Sequence, residues 1–162
     1  TWADLERTHW IGDGKPDAPQ IAYVFTDPNC PYCNQLWREA RPLVQSGQLQ
    51  LRHIMVAVLR PSSEGKAAAI LKAPSPEKAL ASHAQAYANA HGKDPDSLGI
   101  AALTRIPLSA RDALANNLSL MTAMGIRATP ATIWKNAQGL VQTRTGMPPG
   151  LLESVMEKTG SK

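Results

Sequence analysis

The chain has 162 residues, 43% of them hydrophobic and 19% charged, which is enough apolar material for the core of one domain and too much for a disordered segment. Its formal net charge of +4 is spread over scattered lysines and arginines without a run of like charges, a pattern that argues against a nucleic-acid partner. The longest purely apolar run, Ile54 to Leu59, falls far short of the roughly 18 to 20 residues of a membrane span, and Thr1 in place of an initiating methionine fits a processed product or a piece of something longer, which leaves secretion open.

Residues Thr1 to His9 suit a short helical lead-in with Trp2, Leu5 and His9 on one side, and the turn-rich Gly12 to Pro16 reads as the end of a linker. The continuous apolar run Ile21 to Phe25 suits a strand covered on both faces, closed by Asp27-Pro28-Asn29. From Pro31 the period changes: Cys33, Leu36, Trp37, Ala40 and Val44 share one helix face, and Pro42 should shorten or kink that helix. Gly47 and a second strand over Leu49 to Leu59 complete a strand-helix-strand unit, expected to be parallel.

An alanine- and proline-rich block over about residues 61–107 carries helix signals at Glu64 to Lys72 and after Ser75-Pro76, and reads as an inserted helical subdomain. Ser109 opens a further helix with Leu114, Leu118 and Met121 on its stripe and Gly125 as its cap. Ala131 to Trp134 and Leu140 to Thr143 form a hairpin through Asn136 to Gly139, and Pro148-Pro149 starts a last helix burying Leu151, Leu152, Val155 and Met156 and ending at Gly160. The order predicts an α/β fold, a mixed sheet with helices on both faces.

The two cysteines of the chain, Cys30 and Cys33, stand at the junction of the first strand and its helix. Cys33 lies on the core-facing stripe, whereas Cys30 precedes the first turn, where backbone N–H groups lack partners and the helix dipole is positive. Cys30 is therefore the expected nucleophile with a lowered pKa, and Cys33 the buried thiol that resolves a mixed disulfide. Pro31 suits the first helical position because its missing N–H has no acceptor there. Asp27, if its carboxylate faces Cys30, opposes ionisation, so the pKa drop should be moderate. A half zinc site and a purely structural disulfide are the bland readings: no second cysteine pair exists, His9, His53, His83 and His91 show no ligand spacing, and a two-residue gap constrains little of the unfolded chain.

Four stretches carry a resemblance to thioredoxin-fold proteins, and more closely to the catalytic domains of the DsbC- and DsbG-type periplasmic disulfide isomerases: His9 to Lys15, Tyr23 to Pro28, Cys30-Pro31-Tyr32-Cys33, and Arg127 to Ala131. The proline after the first cysteine resembles the DsbG type; glutaredoxins also carry C-P-Y-C, but without this surrounding sequence or a long helical insert. The resemblance implies a redox pair Cys30 and Cys33 that works as a disulfide without further cofactor or metal. It also implies a cis-proline loop, Thr129-Pro130, facing that pair, where Thr129 pairs with substrate and tunes the potential. Pro31 and Tyr32 fall within the substrate-binding motif, Tyr32 with no role of its own assigned. Without the resemblance, Thr129 is a plain pre-proline residue.

Val24 stands where thioredoxin and the oxidase DsbA carry a buried acid, so a proton relay through that position is not expected. The resemblance further implies that residues 1–14 end a linker helix and turn, that residues 15–162 are the catalytic domain, and that a dimerisation domain lies outside this chain, which would be a homodimer at full length and a monomer alone. The implied activity is a periplasmic thiol-disulfide oxidoreductase acting on misoxidised or sulfenylated protein cysteines and kept reduced by a DsbD-like membrane reductase. A DsbA-like oxidase and a redox-independent chaperone or binding module are the alternatives.

Overall fold

The computed structural model describes residues 1–88 and 93–157. Helix α1 (Trp2–Glu6) leads into strand β1 (Ile11–Asp13) and the central strand β2 (Gln20–Thr26). Helices α2 (Pro31–Glu39) and α3 (Arg41–Gln45) cross over to β3 (Leu49–Met55). Helices α4 (Ser63–Lys72) and α5 (Pro76–Ala88), with a 3-10 turn at Pro95–Ser97, precede α6 (Leu108–Ala123), the hairpin β4 (Ala131–Lys135) and β5 (Val141–Thr145), and α7 (Leu151–Met156). The sheet order is β1-β3-β2-β4-β5; β2 and β3 run parallel and every other pair antiparallel.

Period-two alternation, with both faces covered, explains why β2 is apolar from Ile21 to Phe25. Ala22 and Val24 point to one face, packing with Leu36, Ala40 and Val44 of the crossover helices and with Leu151 and Val155 of α7. Tyr23 and Phe25 point to the other face, against Leu5 of α1 and Met121 of α6. A third cluster joins Trp37 to Met55, Ala67, Ile70, Leu80 and Ala84, fastening α4 and α5 against α2. The loop that carries Cys30 thus sits where the central strand meets both the crossover helix and the helical block.

Several expectations are revised by the tertiary structure. Gly12 and Asp13 lie in a strand, paired with Arg52 and Leu51, and only Gly14, at φ 111°, begins the turn. The buried Asp13 carboxylate is held there by Arg41 and by His53, whose Nε2–H donates at 3.0 Å. Strand β3 ends at Met55, four residues early, because the N–H groups of Val58 and Leu59 turn to the Asp27 carboxylate. The chain breaks at Ala40 into α2 and α3, with Pro42 in the first turn of the second helix.

Helix α6 starts at Leu108, and Leu118 is 36% exposed; Asn117 takes the buried place on the stripe and donates to the Met55 carbonyl at 2.9 Å. Leu140 belongs to the hairpin turn, where its N–H bonds the Asn136 side chain at 3.0 Å, so β5 begins one residue later. Helix α7 begins at Leu151, after Gly150 at φ 77°; it buries Leu151 and Val155 but leaves Leu152 and Met156 only partly covered. Its expected end at Gly160 lies outside the described residues.

Candidate active site

Strand β2 delivers Asp27, Pro28 and Asn29 to the start of α2. Cys30 is the N-cap, with extended backbone (φ −88°, ψ 114°), so its side chain turns back over the first helical turn. There its Sγ accepts the Cys33 N–H at 3.1 Å, the bond a serine or aspartate oxygen makes at an ordinary helix start. Pro31 occupies the first helical position, where no N–H is needed. Both cysteines are free thiols; Cys30 is 3% and Cys33 5% exposed.

Their acidities diverge. The Cys30 pKa is lowered from 9.0 to about 7, first by a hydrogen bond from the Cys33 thiol and then by the Thr129 side chain and the Cys33 N–H, against burial and the negative charge of Asp27. Cys33 is pushed well above 9.0, chiefly by burial and then by the thiolate beside it. One proton near neutrality therefore belongs to the pair, and the thiolate sits on Cys30, the sulfur that accepts the hydrogen bonds. The peptide bond Thr129–Pro130 is cis, and the Thr129 carbonyl accepts the Cys30 thiol at 3.6 Å, which brings this loop against the sulfur. Pro31 and Tyr32 are exposed beside it. Val24, six residues before Cys30, is a buried core residue.

Asp27 is fully buried, and its carboxylate accepts four donors: the N–H of Asn29 at 2.9 Å, Val58 at 2.7 Å and Leu59 at 3.0 Å, and the Ser63 hydroxyl at 2.8 Å. It ties the loop to the segment after β3, and its charge is the smallest of the effects named on Cys30.

Sequence reasoning missed the hub beside it. Asn29 Nδ2 donates to Ser62 at 3.0 Å and Ser63 at 2.9 Å, while its Oδ1 accepts from Lys66 Nζ and the Tyr87 hydroxyl, both at 2.8 Å. Lys66 is buried with only neutral hydrogen-bond partners, the second being the Pro95 carbonyl at 2.9 Å, and burial lowers its pKa. His83 Nε2–H donates to the Pro28 carbonyl at 2.6 Å, and its Nδ1 accepts the Ile100 N–H, which assigns the tautomer. The available signal was the spacing of Ser63, Lys66, Ala67 and Ile70, which puts a lysine on the buried stripe of α4. Among the described residues, no group of three or more His, Cys, Asp or Glu side chains is placed to hold a metal ion, and His91 lies outside them.

The thioredoxin-like domain family matches residues 12–160. The thiol:disulfide interchange protein DsbG of Pseudomonas aeruginosa is 46% identical over 147 residues, 91% of this chain and 54% of that protein. DsbG of Escherichia coli is 40% identical over 91% of this chain and 56% of that protein. The chain thus spans about half the length of the curated relatives it matches. Among solved structures, a periplasmic thioredoxin-like protein from Salmonella enterica serovar Typhimurium aligns with TM-score 0.70 and 22% identity over 96% of this chain and 92% of that one. Proteus mirabilis ScsC aligns with TM-score 0.71 and 20% identity over 95% of this chain and 74% of that one. At those identities the structural matches speak to the fold alone.

Proposed function

The chain belongs to the thioredoxin-like domain family, and from that premise we propose that it is the redox-active part of a DsbG-like periplasmic thiol-disulfide oxidoreductase. The observation that carries the reading is the placement of two free thiols at one helix start, with Cys30 as the N-cap accepting the Cys33 N–H at 3.1 Å. That arrangement lowers the Cys30 pKa and raises that of Cys33. The Cys30 thiolate attacks a sulfur of a client disulfide; that S–S bond breaks, one client thiolate leaves, and a mixed disulfide with Cys30 forms. Cys33, losing its proton to the departing thiolate or to water, attacks Cys30 Sγ and releases the second client thiol. The client is reduced by two electrons and the Cys30–Cys33 pair is oxidised.

With a sulfenic acid, the same thiolate attacks the oxidised sulfur and the hydroxyl leaves as water on taking up a proton. A DsbD-like membrane reductase returns the pair to dithiol, and the full-length protein works as a homodimer. A DsbA-like oxidase would run these steps in reverse, and it calls for a more strongly stabilised thiolate than a pKa of about 7 provides. Cys30→Ser is expected to abolish reduction of a model disulfide, while Cys33→Ser accumulates a mixed disulfide with the client. Full reductase activity in Cys30→Ser overturns the proposal.

A further inference from the structure

Beside the reactive thiol, on the side of the helical block, lies a cavity of about 480 Å³. Its walls are Asn29, Pro31, Leu59, Tyr87, Pro95 and Leu98. Arg60 and Lys93 border it, and Arg60 is paired with Asp96 at 3.1 Å and Asp94 at 3.8 Å. The cavity therefore offers mainly apolar surface, with the Arg60 charge engaged by carboxylates.

The walls are fixed in advance. The Tyr87 hydroxyl donates to Asn29, whose backbone runs directly into Cys30, and the Pro95 carbonyl is held by Lys66 Nζ. The Leu59 N–H is anchored on Asp27, which leaves its side chain 50% exposed. Tyr32, 59% exposed, and Val58, 48% exposed, are the chain neighbours of Pro31 and Leu59 and add exposed apolar side chains at this end of the molecule. A preformed apolar hollow of this size with few polar groups has the character of a binding pocket.

Resting on the redox reading above, we propose that this cavity is a specificity pocket for a large apolar side chain of the client, carried about two residues from the oxidised cysteine on an extended segment. Pro31, the neighbour of Cys30, forms one wall, so a client sulfur in line with Cys30 Sγ lies about one or two residue lengths from the opening. On an extended chain the residue two positions away projects to the same side as the cysteine. The buried hydrogen-bonded hub around Asn29 thereby acquires a purpose: it holds the redox loop and the pocket walls in one rigid arrangement. The preferred client is a segment that a folded protein would bury, as in a misoxidised chain.

The test is single-turnover oxidation of the reduced protein by disulfide-linked homodimers of short peptides that differ only at the residue two positions from cysteine: alanine, leucine, phenylalanine, glutamate or lysine. The leucine and phenylalanine peptides are expected to react about tenfold faster than the alanine peptide, and the charged ones no faster. In Leu59→Glu that preference collapses to within about twofold, while Leu140→Ser, at the remote hairpin, retains it. Equal rates for all peptides with the wild-type protein overturn the pocket and leave the redox reading standing, as does a preference for a charged residue. No exchange with any peptide overturns both. A preference that survives Leu59→Glu in full also sinks the pocket.

Discussion

Replacing Cys33 by alanine isolates the source of the Cys30 acidity. The fall from 9.0 to about 7 corresponds to about 3 kcal/mol in favour of the thiolate. Its leading cause is the hydrogen bond from the Cys33 thiol, with Thr129 and the Cys33 N–H adding to it and burial opposing. A hydrogen bond to an ionised group is worth about 1.5–3 kcal/mol, or about one to two pH units. The midpoint of Cys30 alkylation by iodoacetamide, followed by mass spectrometry against pH, should therefore rise by about one unit or more in Cys33→Ala. Cys33→Ser keeps an O–H donor and should move it less. The midpoint is the proper readout, because a less acidic thiolate is also a stronger nucleophile and rates at a single pH mix the two effects. An unchanged midpoint in Cys33→Ala would refute the reasoning and move the acidity to the backbone of the helix start. The sign also governs stability: a depressed thiol pKa stabilises the reduced fold fully above the unfolded value near 9.0, and that contribution is lost as pH falls through about 7. Cys33, raised when folded, works the opposite way above 9.0.

Asp27→Asn should lower the denaturant midpoint by the equivalent of about 1–3 kcal/mol, since an amide cannot accept all four donors, yet also lower the Cys30 alkylation midpoint by removing a negative charge. A rise of that midpoint would contradict this account of the site. Burial raises the Asp13 pKa, but hydrogen bonds and charge from His53 and Arg41 outweigh it and hold the carboxyl at about 2. The native contribution, about 2 kcal/mol, is thus present above 3.8 and lost as pH falls through about 2; urea titrations at a series of acidic pH values should show this loss in the wild type and not in Asp13→Asn. Asn29→Ala leaves the buried Lys66 with one partner and the Tyr87 hydroxyl without its acceptor, and should cost about 2–4 kcal/mol in equilibrium unfolding. Lys66→Met added to it should recover part of the loss; a double variant less stable than the single one would exclude an uncompensated charge as the cause.

Local chemistry made much of this protein legible in its sequence. The apolar run of β2, the helix-period stripe from Cys33 to Val44 and the proline after Cys30 each follow from a constraint that acts within a few residues, so the crossover unit and the unequal placement of the two thiols could be read directly. Partners distant along the chain decided the rest. Asp13 reads as a turn residue until Arg41 and His53 close on it, and Leu49 to Leu59 reads as one strand until the Asp27 carboxylate captures the Val58 and Leu59 amides. Asn29 and Lys66 carry no local signal of their meeting, because 37 residues separate them and only the packing of α4 and α5 against the loop brings them to 2.8 Å. A buried polar group must find its hydrogen bonds wherever the fold supplies them, and that requirement, met through space, turned a motif of two cysteines into a site with a defined acidity and a walled pocket beside it.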